Sequence, residues 1–200
     1  QDIVVGKGTR YHPSGMDFDG QYIWFAVAEY RPDSYSTIYR LNTATDRVDS
    51  LFSVDDHIGM VIRNKAQNTL VGATWDGRNF YNWSLSKSNI PLESIPKKAI
   101  NHSYYVAFQD GQYVGNQMML GSGIRHYTLS NHQKFTLGGL EVLDLRTMRP
   151  IWQLSIPMLS PVTGNSMVSN PCFVESIPGG IRAYFAPDDQ FKTMIYSYLV

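Results

Sequence analysis

H-P-S-G-M-D-F-D-G-Q-Y-I-W-F-A-V-A-E-Y, from His12 to Tyr30, decides the fold, because the chain returns to the same design three more times. From His57 it reads H-I-G-M-V-I-R-N-K-A-Q-N-T-L-V-G-A-T-W, and from His102 H-S-Y-Y-V-A-F-Q-D-G-Q-Y-V-G-N-Q-M-M-L. From Asn170 it reads N-P-C-F-V-E-S-I-P-G-G-I-R-A-Y-F-A-P-D. Each unit is a short strand, a tight turn and a second apolar strand, and the units recur after 45, 45 and 68 residues. Later strands follow the same order. Tyr39-Arg40-Leu41-Asn42-Thr43 answers to Leu143-Asp144-Leu145-Arg146-Thr147, and Val48 to Phe52 answers to Ile151 to Ile156. Four strands in about 45 residues is the blade of a β-propeller. A β-sandwich has the same strand chemistry but imposes no such period.

Working outward, the rest of the chain agrees. Val, Ile, Thr, Phe, Tyr and Trp make up about a third of the residues, and such residues favour the pleated sheet. Asp19-Gly20, Asp76-Gly77, Asp110-Gly111 and Gly179-Gly180 read as hairpin turns. No amphipathic helix of ten or more residues is legible. The expected fold is all-β: a β-propeller of four-stranded antiparallel blades, about four of them visible, in a single domain over residues 1–200. The last unit stops after a third strand, Thr193 to Tyr198, and the apolar run Asp2-Ile3-Val4-Val5 is a candidate for its missing fourth. That exchange would close a four-bladed ring; equally, the chain reads as the C-terminal part of a larger propeller.

Lys plus Arg and Asp plus Glu are both 17, for a formal net charge of zero. Nucleic-acid binding and polybasic membrane association need excess cation, so neither is expected. With 43% hydrophobic, 13% aromatic and only 17% charged residues, the chain is not disordered. The longest apolar run, Tyr22 to Ala28, falls well short of the roughly 20 residues of a membrane span. The single cysteine, Cys172, cannot form an intrachain disulfide and reads as a packing residue within an apolar strand.

Tyr11 to Gly20, Val27 to Pro32, His132-Gln133-Lys134 with Gly138 to Glu141, and Tyr184 to Asp189 resemble a family of propeller-type proteins of unknown function. The resemblance runs over nearly the whole chain. It implies a secreted or periplasmic protein of about six blades, of which this chain lacks roughly two at the N-terminus. It implies no activity and no catalytic residues, so function has to come from the site.

The first strand of each propeller blade lines the central channel. His12, His57 and His102, with Asn170 as fourth member, share one repeat position and are expected as a polar ring near one channel mouth. Neutral imidazoles so placed bind a transition metal, and protonated ones an anion. A second layer follows where the second strands end, with Glu29 and Tyr30, Thr74 and Trp75, Met119 and Leu120, and Pro187 and Asp188. There Glu29 and Asp188 are candidate oxygen ligands for one divalent metal, with Asn116 and Asn170 as neutral partners; calcium would select these, zinc the histidines. An ordinary salt bridge from Glu29 to Arg31 or Arg78 is the plainer alternative. The excess length of the third unit, between Leu120 and Gly139, carries Arg125, His126, Tyr127, His132 and Lys134, and is read as a loop that either covers the mouth as a lid or decorates the blade.

Standard catalytic motifs are absent: no G-x-S-x-G, H-E-x-x-H, phosphate loop or EF-hand. Trp75-Asp76 mimics a WD dipeptide but ends a second strand, the wrong place in a WD40 repeat. Three functions are therefore carried forward. The first is a ligand-binding module with a polar site at the channel mouth, built from His12, Glu29, His57, Trp75, His102, Asn170 and Asp188 and taking a small polar or anionic molecule. The second is a metal-dependent lactonase- or esterase-like hydrolase. The third is a scaffold for a protein partner.

Overall fold

The computed structural model describes residues 4–103, 105–188 and 194–199. It is an all-β propeller of four small antiparallel sheets, with no α-helix among the described residues. Blade 1 contains β1 (His12–Pro13) and β2 (Asp17–Phe18), which both pair with β3 (Tyr22–Ala28), then β4 (Ser36–Asn42) and β5 (Arg47–Val54). Blade 2 is β6 (Ile58–Asn64), β7 (Thr69–Thr74), β8 (Asn79–Ser84) and β9 (Lys97–Ile100). Blade 3 is β10 (Ala107–Gly115), β11 (Met118–Thr128), β12 (Lys134–Asp144) and β13 (Arg149–Ser155). Blade 4 is β14 (Cys172–Ile177), β15 (Gly180–Phe185) and β16 (Tyr196–Leu199).

The repeat is visible in details finer than strand order. The β4–β5 and β12–β13 turns are the same device. Asn42 Oδ1 accepts the Ala44 N–H at 2.9 Å and Asp144 Oδ1 accepts the Arg146 N–H at 2.8 Å, an Asx turn in each case. Asp46 and Met148 then take matching left-handed φ values of 55° and 53°. Both strand pairs also carry a register shift, but at different distances from the turn, between Ile38 and Tyr39 in blade 1 and, two residues nearer the turn, between Val142 and Leu143 in blade 3.

Two of the expectations need correction, and a third falls partly outside the described residues. Asp110-Gly111 is not a turn: β10 runs through it, and the blade 3 hairpin turns at Asn116-Gln117, whose φ values are 47° and 58°. Asp-Gly suits a type I′ turn by conformation, but here each residue is used by a neighbouring blade. The Asp110 carboxylate accepts backbone N–H groups from blades 1 and 4, and a methyl at Gly111 would lie 2.5 Å from Met60 Sδ. The supposed loop after Leu120 is instead a hairpin. The extra residues lengthen β11 and β12, paired without a break from Met118↔Asp144 to Thr128↔Lys134, and only residues 129–133 turn. For the expected strand exchange, Gln1 to Ile3 and Thr193 lie outside the described residues; Val4 and Val5 belong to no strand, and Val4 is 93% exposed.

A buried apolar cluster fills each seam between consecutive blades. Trp24, Ile38, Ile58 and Trp83 join blades 1 and 2; Met60, Phe80, Phe108 and Leu143 join blades 2 and 3; Leu120, Leu140, Cys172 and Phe185 join blades 3 and 4. Removing such side chains from water is the main stabilising term, worth about 1.5–3 kcal/mol for each large aliphatic or aromatic group.

At the axis the joints are polar. Asp17 accepts the N–H of Arg63 in blade 2 at 2.8 Å and of Tyr113 in blade 3 at 3.1 Å, besides that of Phe18 at 3.0 Å. Asp110 accepts the Met16 N–H of blade 1 at 2.8 Å and the Cys172 N–H of blade 4 at 3.2 Å. The Gln112 amide pairs with both backbone groups of Val174, each at 2.7 Å. Burial drives both acids upward, Asp17 to about 7 and Asp110 to about 6, against the opposing pull of their N–H donors.

Candidate ligand site at the channel mouth

Three blades and the connection into the fourth contribute to a cavity of about 560 Å³ at one end of the axis. His12 and Tyr30 come from blade 1, His57 and Trp75 from blade 2, Gln109 and His126 from blade 3, and Asn165 and Asn170 from the connection into blade 4.

His57 is the best-fixed of these side chains. It is buried, and its Nδ1 lies 2.8 Å from the Glu29 carbonyl oxygen and 3.5 Å from Ser34 Oγ. A carbonyl oxygen only accepts, so Nδ1 carries the proton and Nε2 is left as an acceptor. Burial lowers the His57 pKa, and burial also lowers that of His12, so both rings are neutral at physiological pH. The two rings lie 6.2 Å apart, centroid to centroid. Trp75 meets His57 edge to face at 4.8 Å, and Tyr30 packs against His12 at 4.6 Å and Trp75 at 5.3 Å. The four rings thus make one continuous aromatic wall. Two amides, Asn165 and Asn170, also line the cavity, and their Nδ2 groups donate to the Pro187 carbonyl at 3.1 and 3.0 Å. Among the described residues no lysine or arginine lines the cavity, while Asp76 and Asp110 do.

Of the residues singled out in the sequence, His12, His57, Trp75 and Asn170 line this cavity together. His102 does not: it is exposed and lies five residues before β10 begins, whereas His57 immediately precedes β6. Because β10 runs through Asp110-Gly111, the third unit is displaced along its strands, and blade 3 lines the cavity with Phe108, Gln109, Asp110, Ile124 and His126 instead. Glu29 stands outside the cavity. Its carboxylate bonds to Thr9 and, at 2.7 Å, to Arg31, and these contacts, Thr9 first, hold its pKa below the usual carboxylate range. What it gives the site is its backbone carbonyl, which orients His57.

Asp188 is buried away from the mouth, accepting hydrogen bonds from Thr163 Oγ1 at 2.6 Å and Tyr196 OH at 3.2 Å. Hydroxyl donors, Ser160 first, keep its pKa low. Through Thr163 it anchors the segment that carries Asn165 and Asn170. Asn116 lies in the β10–β11 turn, at the far end of the blade. Among the described residues, no three His, Cys, Asp or Glu side chains converge as metal ligands. The Cys172 thiol is pushed up to about 12, mainly by burial, which makes it inert.

The long hairpin reaches the cavity through His126, whose Nδ1 lies 2.7 Å from Thr136 Oγ1. Arg125 donates to the Asp76 carbonyl at 3.1 Å, tying the hairpin to the β7–β8 connection. Tyr127 stacks on Phe135 at 5.1 Å, and His132 and Lys134 are exposed near the tip. Asn165 went unnoticed in the sequence, because nothing in its Pro- and Ser-rich surroundings marks an amide as site-facing.

Among solved structures, an engineered GH43 glycoside hydrolase with endo-xylanase and exo-arabinofuranosidase activity superposes with a TM-score of 0.56 at 8% identity, over 92% of this chain and 37% of that one. The WD40 domain of Toxoplasma gondii coronin gives 0.44 at 11% identity, over 82% and 37%. The β-propeller domain of the Pyrococcus furiosus Trilobed protease, described as having an open velcro topology, gives 0.41 at 10% identity, over 94% and 54%. The chain therefore spans between about a third and just over half the length of these structures. At such identities the likeness is one of fold alone. No curated protein matches the sequence. Over residues 1–200 the chain matches a family described as of unknown function, DUF6454, and belongs to it.

Proposed function

We propose that this member of a family with no assigned activity is a ligand-binding propeller whose channel mouth takes a small, uncharged polar molecule. One observation carries the reading: His12, Tyr30, His57 and Trp75 form an aromatic wall in a cavity that is also lined by Asn165 and Asn170 and is built from three blades and the connection into the fourth. Aromatic surface with a few fixed donors and acceptors is the usual make-up of small-molecule sites. Among the described residues the lining holds no lysine or arginine but does include Asp76 and Asp110, and both imidazoles are neutral, which favours an uncharged ligand over an anion.

The test is a thermal-shift and tryptophan-fluorescence screen of neutral monosaccharides, polyols and small amides, with carboxylates and phosphate as the anionic arm. The expected result is a neutral ligand whose affinity falls at least about tenfold in Trp75→Ala and His57→Ala, a loss of about 1.4 kcal/mol or more. Selective binding of anions, or binding indifferent to both substitutions, overturns the reading.

A metal-dependent lactonase- or esterase-like hydrolase is the second reading, favoured by one observation. The Glu29 carbonyl fixes His57 as the tautomer whose Nε2 can accept a proton, as a general base requires. Near one equivalent of zinc or calcium in protein purified without chelator, together with ester hydrolysis lost in His57→Ala, would establish it. An exported parent protein of about six blades rests on the family resemblance, and fractionation of the native protein checks it.

A further inference from the structure

The extra residues of blade 3 build a second concave surface beside the channel mouth. β10 stops pairing with β11 at Ala107↔Ile124, and β13 stops pairing with β12 at Gly139↔Ser155, so beyond those points the hairpin continues as a two-stranded ribbon. The β13–β14 connection folds against it. The Ile156 N–H donates to the Gly138 carbonyl at 2.9 Å, the Met167 N–H to the Met158 carbonyl at 3.0 Å, and Leu159 and Ser166 form a bridge. Thr163 ties the same segment to the Asp188 carboxylate. Between ribbon and connection lies a cavity of about 430 Å³, walled by side chains between Ile124 and Ser169.

This cavity adjoins the mouth, because Ile124, His126, Asn165 and Ser169 line both. His126 stands at the junction. Its Nδ1 contact with Thr136, its register partner across the ribbon, leaves Nε2 for a ligand. The two lobes differ in chemistry. The mouth carries the aromatic wall, whereas the second lobe sets the hydroxyls of Ser155, Ser166 and Ser169 among aliphatic groups such as Leu137 and Leu159. Among the described residues no Asp, Glu, Lys or Arg lines it. Ser166 also carries the one buried hydroxyl, among the described residues, with no hydrogen-bond partner in the protein. An unpaired buried polar group is costly, and a ligand hydroxyl is a partner that this lobe can supply.

We propose that the two lobes are adjoining subsites for one neutral oligosaccharide, a proposal that rests on the ligand-binding reading of the mouth. One sugar ring packs on the wall that holds His57 and Trp75, and the next enters the second lobe past His126. Three features define this ligand. Its length follows from volume: a cleft of about 300–1,000 Å³ holds a whole small molecule, and here one such cleft adjoins another. Its neutrality follows from a second lobe with no lining acid or base other than His126. Its many hydroxyls follow from the two linings together. Aromatic faces take the C–H faces of a sugar ring, and serine hydroxyls and the Asn165 amide both donate to and accept from hydroxyl groups.

Titration calorimetry of the 200-residue protein with mono-, di- and trisaccharides of glucose, xylose and mannose tests the proposal, with sorbitol and acetamide as small neutral probes of the mouth alone. Affinity should rise at least about tenfold from one ring to two or three. Ser155→Trp and Leu159→Trp, both at exposed positions on the second lobe, should keep the melting temperature and monosaccharide binding but cancel that gain. Trp75→Ala should weaken every member of the series. Equal affinity for one ring and for three, or a gain that survives both bulky substitutions, overturns the two-lobe proposal and leaves the reading of the mouth standing. Binding of sorbitol or acetamide with no saccharide bound at any length has the same meaning. If none of these neutral probes binds, both readings fall.

Discussion

At the residue scale, Asp17 and Asp110 are the most consequential side chains in the molecule. Each is a buried carboxylate whose oxygens accept backbone N–H groups from other blades. Asp17→Asn removes the charge but turns an acceptor into an NH₂ group facing an N–H donor. It should destabilise the protein by about 1–3 kcal/mol in chemical denaturation at neutral pH. Neither acid is conspicuous in the sequence, where Asp17 sits in an unremarkable M-D-F-D run and Asp110 looks like the first half of a turn. The histidines were legible because a repeat position flagged them. His57 landed in the cavity wall, while His102 did not, since a single misjudged turn displaces every residue of a unit. Side-chain chemistry can be read from sequence; which groups a neighbouring blade will meet depends on register, which the strand period alone leaves open.

At the element scale, the chain announces its hairpins more clearly than their lengths. The matching Asx turns after β4 and β12 follow from an Asn and an Asp at equivalent places, Asn42 and Asp144, two residues out of step with the sequence alignment of those segments, which sets Asn42 against Arg146. The blade 3 hairpin turns instead on Asn116-Gln117, and Gln117 holds a φ of 58° that a side chain disfavours. Gln117→Gly should therefore raise the unfolding free energy by about 0.5–1 kcal/mol, measured from the urea midpoint, because the Tyr113 hydroxyl contact is to its backbone N–H and survives. The insertion after Leu120 is the complementary case. Its length was plain, but alternating residues such as Tyr127 and Phe135 stack across the pair and turn a presumed loop into sheet. The hairpin's His126 reaches the cavity, so His126→Ala should weaken ligand binding less than Trp75→Ala does, while leaving the melting temperature within a degree or so.

At the scale of the whole molecule, the axial acids set a dependence of stability on pH. Both titrate higher in the folded chain than in the unfolded one, Asp17 to about 7 and Asp110 to about 6. The folded state thus holds protons that the unfolded state releases. Their contribution is fully present below the ordinary aspartate range and is lost as pH rises through about 6 and 7. Carboxylates held low by their arginine partners, such as Asp49 beside Arg40 and Asp144 beside Arg146, act in the opposite sense below that range. Melting temperature should therefore peak in mildly acidic buffer and decline towards pH 8, with the decline flattened in Asp17→Asn. A rise in melting temperature from pH 5 to 8 would contradict the assignment.

The axial bonds have a further consequence. Repeats that touch only their neighbours unfold piecemeal, like beads leaving a string. Here Asp17 ties blade 1 to blade 3 as well as to blade 2, and Gln112 locks blade 3 to blade 4. Losing blade 1, 2 or 3 removes axial or seam partners from two others, and blade 4 is held to blade 3, so the four should melt as a single cooperative unit, with calorimetric and van't Hoff enthalpies equal. A repeat tied through its hub in this way has given up modularity: no blade can be exchanged, duplicated or deleted without redesigning its neighbours' inner strands as well.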